Sequence, residues 1–162
     1  MKPVARFLVA AVSATLSLGA VAAGLVEVKF IQPQQFSDAG RTAAERERTL
    51  QALATRLRAL GQRLPDGQKL TIEVSDVDLA GTVEPGHHDV RVLRGRADWP
   101  RIRLAYTLES GATTLARGEE TVQDMDYLNS IPRTASGDEL PYEMQMLDEW
   151  FRKRFLRPSP PD

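Results

Sequence analysis

The stretch 69-KLTIEVSDVDLAG-81 decides how this chain is put together. Leu70, Ile72 and Val74 alternate with polar residues, the period-two pattern of a strand with one buried face. Strict alternation carries Asp76 and Asp78 onto that same apolar face and turns Val77 and Leu79 outward. Carboxylates at the edge of a core need partners, because an unpaired buried charge is costly. The expectation is a bulge near Ser75, which would reset the phase, or backbone hydrogen bonds to Asp76.

Upstream lies the clearest helix, 42-TAAERERTLQALATRLRALGQRL-64. Thr42 and Glu45 have the spacing of a capping box, in which each side chain satisfies a backbone N–H of the first turn. Leu50, Leu53, Leu57, Leu60 and Leu64 step by three and four and so fall on one stripe. Pro65 stops the helix between Gly61 and Leu64. Before it, 25-LVEVKFI-31 alternates as another strand. A strand-helix-strand unit prefers a parallel crossover.

Downstream, residues 82–89 read as loop and 90-VRVLR-94 as a short strand. In 101-RIRLAYTLE-109, Ile102, Leu104, Tyr106 and Leu108 face one way. The turn at Ser110–Ala112 sends the chain back through 113-TTLARGEETV-122 as an antiparallel partner. The last element, 138-DELPYEMQMLDEWFRKRF-155, is a helix. Asp138, Glu139 and Glu143 open it, and Arg152, Lys153 and Arg154 close it, as the helix dipole favours. Leu140, Met144, Leu147 and Phe151 form its stripe. The order is β-α-β-(β)-β-β-α. It predicts an α+β fold: a mixed, mainly antiparallel sheet of four or five strands with two helices packed on one face.

The first 23 residues are set apart from this fold. Lys2 and Arg6 precede the apolar run 7-FLVAAVSATLSLGAV-21, and small residues follow, the order of a secretory signal peptide. The run is short of the roughly 20 apolar residues a spanning helix needs. The expectation is an exported, periplasmic protein with no stable membrane span after cleavage. Residues 24–156 then form a single domain and 157–162 a disordered tail. The chain has no cysteine, which excludes disulfides, a thiolate nucleophile and thiolate metal ligands. The full chain holds 21 basic and 22 acidic residues; losing Lys2 and Arg6 and no acid leaves a net charge of −3. Such a balance gives no general attraction for nucleic acid.

Four stretches in order, 76-DVDLAG-81, 98-DWPRIRLAYTL-108, 124-DMDYL-128 and 140-LPYEMQMLDEWF-151, resemble the bacterial domain-of-unknown-function family 3016. The resemblance covers about residues 25–155. It implies a small exported domain of the cell envelope and brings no catalytic residue with it.

Two groups of side chains are candidates for chemistry. Asp76, Asp78, Asp124 and Asp126 form two D-x-D pairs of hard oxygen ligands, the kind that divalent cations take from converging segments. Aspartate also ends strands and caps turns through its own backbone, which is the competing reading. Arg96, Trp99, Arg101 and Arg103 form the second group, a cationic and aromatic contact surface for an anionic partner such as peptidoglycan or lipopolysaccharide. His87 and His88 are adjacent, so in an extended segment they point apart; a zinc site would need both plus an acid such as Glu84 or Asp89. No G-x-S-x-G elbow, phosphate loop or dinucleotide fingerprint occurs. The leading expectation is a non-enzymatic binding or accessory module of the envelope with no cofactor. The alternatives are a divalent-metal-binding protein or metal-dependent hydrolase using the aspartate pairs, and an assembly subunit.

Overall fold

In the computed structural model, the chain runs through β1 (Leu25–Phe30), a short 3-10 turn (Pro33–Gln35), α1 (Ala43–Gly61), β2 (Gln68–Asp78), β3 (Thr82–Val83), β4 (Arg91–Val92), β5 (Arg101–Ser110), β6 (Thr113–Gln123) and α2 (Pro141–Phe155). The structure describes residues 24–84, 91–95, 97–129 and 139–156. The expected leader, His87, His88, Arg96, Asp138 and the expected tail lie outside the described residues.

The main sheet has the order β1-β2-β5-β6. β1 and β2 are parallel, as the intervening helix predicts, and the other two pairings are antiparallel. The fold is therefore α+β with a mixed sheet. The short strand after residue 90 does not join this sheet. It pairs with Thr82–Val83, part of the stretch read from sequence as loop, in a separate two-stranded ribbon. No helix among the described residues is long and apolar enough to cross a membrane.

α1 begins as its sequence dictates. The Thr42 hydroxyl accepts from the Glu45 amide at 3.1 Å, and the Glu45 carboxylate accepts from the amides of Thr42 and Arg41. Leu50, Leu53, Leu57, Leu60 and Leu64 are all buried. Gly61 ends the helix against β1, where a Cβ would collide with the Val26 side chain. α2 starts at Pro141, later than its acidic lead-in suggests, because proline is well suited to the first helical position, where its missing N–H is not needed.

Ser75 carries the decision in β2. Val74 pairs with Leu104 and Asp76 with Arg103, so Ser75 is an extra residue in the ladder. Beyond this bulge the phase flips. Val77 pairs with Ile102 and is fully buried, Leu79 follows it inward, and Asp76 and Asp78 turn out of the core. The outward direction that strict alternation gives Val77 and Leu79 is thereby reversed.

One core cluster joins the main sheet to both helices. Leu70, Ile72, Val74, Leu104 and Tyr106 meet Leu53, Leu57, Leu147, Trp150 and Phe151. Each fully buried side chain of this size stabilises the fold by about 1.5–3 kcal/mol. Tyr106, Trp150 and Phe155 pack edge to face. The Trp150 N–H donates to Glu120 at 3.1 Å, so its polar end is satisfied. Arg56 clamps Asp148 with two hydrogen bonds and ties α1 to α2.

Candidate functional site

The parallel pair β1 and β2 runs out into a knot of loops that builds a concave surface. Residues 37–39 continue alongside the end of β2: the Asp38 amide donates to the Val77 carbonyl at 2.8 Å, and the Leu79 amide to the Asp38 carbonyl at 3.1 Å. Ser37 donates from its amide and its hydroxyl to the two oxygens of Asp76, at 2.7 and 2.9 Å. The carboxylate that the bulge turns outward thus fastens the start of this segment.

Asp38 accepts from the Gly40 amide and from Arg91 at 2.6 Å. The other arm of Arg91 donates to the carbonyls of Ala80 and Gly81. One guanidinium therefore joins the approach to α1 to the loop after β2. Behind that loop lies Glu143, only 3% exposed, whose carboxylate accepts from the Ala80 amide at 2.7 Å. Burial pushes its pKa up; the Ala80 N–H and the charge of Arg91 pull the other way.

Between these elements opens a cleft of about 570 Å³, bordered by Phe36, Asp38, Arg41, Arg46, Asp78, Asp98, Trp99 and Arg101 among others. Trp99 is held by its indole N–H, which donates to Gln123 at 3.3 Å. The Arg101 guanidinium lies 5.5 Å from the Trp99 ring centre and also pairs with Asp78. Such a cation over an indole face is attracted by the ring quadrupole. Asp98, next to Trp99, accepts from the Arg94 amide and from the Tyr127 hydroxyl at 2.7 Å. Tyr127 is buried, and burial together with the neighbouring Asp98 pushes its pKa up to about 12.

The cleft has a polarity that a count of its charges hides. Asp38, Asp78 and Asp98 each already accept hydrogen bonds from the protein. Arg46 makes no ion pair among the described residues. Arg46 is therefore a cation bordering the cleft that no described carboxylate neutralises by pairing.

The two predicted groups fare differently. Trp99 and Arg101 come together on the cleft. Arg103 does not border it: it shares the exposed side of β5 with Arg101 but lies further along the strand, opposite Asp76. Arg96 lies outside the described residues. The four aspartates are not assembled into one group; among the described residues, no three acidic or histidine side chains are placed to hold a metal ion. Asp124 accepts from the Asp126 amide, and Asp126 from the Asn129 side chain, the local turn use that aspartate often serves. Glu84, considered beside the histidines, pairs with Arg94.

Asp38, Arg41, Arg46 and Tyr127 carry no sequence signal that marks them for this site. Glu143 does. It follows Leu140 by three residues and precedes Leu147 by four, so it falls on the apolar stripe of α2.

Residues 24–153 match the family described as protein of unknown function (DUF3016), and the chain belongs to that family. No curated protein matches it.

Proposed function

We propose that this domain is a non-enzymatic binding module of the bacterial envelope, exported to the periplasm, which holds an anionic envelope component in the cleft at the end of β1 and β2. Peptidoglycan and lipopolysaccharide are the fitting classes: both present carboxylate or phosphate groups on a sugar scaffold. The observation that carries this reading is the Trp99–Arg101 pair at the mouth of a cleft whose aspartates are already engaged and whose Arg46 is not. Arginine offers a planar fork of donors to such anions, and an indole face stacks on a sugar ring. The charged leader sequence supports export.

The test is co-sedimentation with purified peptidoglycan sacculi and, separately, with lipopolysaccharide micelles. The expected result is retention of the wild type on one of them, reduced at least tenfold by Trp99→Ala and by Arg46→Ala. Retention that both variants keep would move binding away from the cleft. Export is tested apart from binding, by fractionating cells that express the full chain.

A further inference from the structure

We infer that the free edge of β6 pairs with the same edge of a second copy, making one continuous sheet across a two-fold axis at Gly118. Among the described residues, β6 is the edge strand of the main sheet and pairs only with β5. It is eleven residues long, contains no proline, and is mostly exposed on its outer face. A strand edge of that length presents a row of backbone groups ready to pair, and folded proteins usually blunt it with proline, bulges or repelling charge. Here the register shift falls at Leu115, near the start, which leaves Ala116–Gln123 regular.

The charges on this strand are arranged for self-pairing. Arg117 and Glu119 stand on either side of Gly118, both exposed. Their cross-strand neighbours in β5 are Thr107 and Ala105, so neither finds an opposite charge there. Neither makes an ion pair among the described residues. In an antiparallel pair centred on Gly118, Arg117 lies opposite the partner's Glu119, and Glu119 lies opposite the partner's Arg117. Centring the axis on residue 117 or 119 instead sets Arg117 against the partner's Arg117, or Glu119 against the partner's Glu119. Like charges directly opposite are destabilising, so the charges favour the register centred on Gly118 over the two beside it. The same patch meets itself, which is the closed, isologous geometry of a two-fold dimer.

Gly118 suits the axis for a second reason. The Tyr106 ring lies over it from the core side, where a Cβ would collide. No side chain therefore stands at the point where the two strands cross most closely, and the variants that test the pairing must leave Gly118 in place.

The experiment is the mass of the purified protein by light scattering and sedimentation over a concentration series. The wild type is expected to reach twice the mass of one chain. Glu119→Arg and Arg117→Glu, which set like charges against each other, are expected to give monomers with an unchanged circular dichroism spectrum. The exchanged double variant, Arg117→Glu with Glu119→Arg, is expected to restore the dimer. A wild type that remains monomeric at its highest soluble concentration overturns the inference. A dimer that survives Glu119→Arg, or one that the exchange fails to restore, overturns it equally.

Discussion

The backbone N–H of Ala80 donates to the carboxylate of Glu143 across 2.7 Å and ties the loop after β2 to the first turn of α2. Glu143 is buried, and its pKa is raised chiefly by desolvation. The folded state therefore keeps a proton that the unfolded chain has released. Stability is greatest below the ordinary glutamate pKa and declines as pH rises through the higher folded value. Glu143→Gln keeps an oxygen for Ala80 and cannot ionise. We expect it to remove that decline and to equal or exceed the wild type at neutral pH. Glu143→Ala strands the Ala80 N–H and should cost about 1–3 kcal/mol. Urea melts at pH about 4, below the ordinary glutamate value, and at about 7.5 separate these outcomes; a glutamine variant that keeps the wild-type slope would refute the assignment.

Ser75 makes a sharper structural prediction. Ser75 has no partner in the β5 ladder, so its deletion leaves Val74, Asp76, Val77, Asp78 and Leu79 in strict alternation, with Val77 and Leu79 still inward and both aspartates outward. The pairs on either side of the bulge are kept. We expect the deletion variant to fold, with a loss below about 3 kcal/mol, the usual ceiling for a single change. Circular dichroism and urea melts check this. A deletion variant that fails to fold would mean that the bulge does more than set the phase of β2.

The same bulge marks how far the sequence could be read. Leu70, Ile72 and Val74 place β2, and the capping box and leucine stripe place α1, because local periodicity reports burial directly. The conflict at Asp76 and Asp78 points to a bulge, since no other local device keeps Val77 and the aspartates on their proper sides. The cleft is less legible. Asp38 and Arg41 lie on the approach to α1, Arg46 near the start of α1 and Asp98 just before β5, and the tertiary fold brings them together. Trp99 and Arg101 were accessible because they are neighbours on one strand approach. Glu143 was visible as an acid on an apolar stripe, yet the same residue also fits the helix-dipole pattern, which asks nothing about burial.

The aspartates give a direct comparison of binding-module and metal-site readings. Asp76 is held by Ser37, Asp78 by Arg101, and Asp124 and Asp126 by their own turn. A cation would have to displace these contacts. A site filled to 100 times its Kd adds about 2.7 kcal/mol, which is on the order of 5–10 °C for a domain of this size. We expect millimolar calcium or magnesium, added to metal-stripped protein, to shift the melting temperature by less than about 1 °C. A rise of several degrees that Asp78→Asn abolishes would favour the metal site instead.

Tyr127 connects stability to the cleft wall. Its hydroxyl donates to Asp98 and accepts from the Gly95 amide, and so fixes the turn that presents Trp99. Because its pKa is pushed up to about 12, the folded phenol holds its proton after unfolded tyrosine has lost its own. Stability should fall as pH climbs from about 10 towards 12, and Tyr127→Phe should remove that fall. At neutral pH the same substitution costs about 1.5–3 kcal/mol, the range for a hydrogen bond to a charged group. It also frees Asp98 beside Trp99. We therefore expect weaker retention on sacculi or lipopolysaccharide at temperatures where the variant is still fully folded. A variant that loses stability but binds as the wild type does would separate the Tyr127–Asp98 contact from the presentation of Trp99.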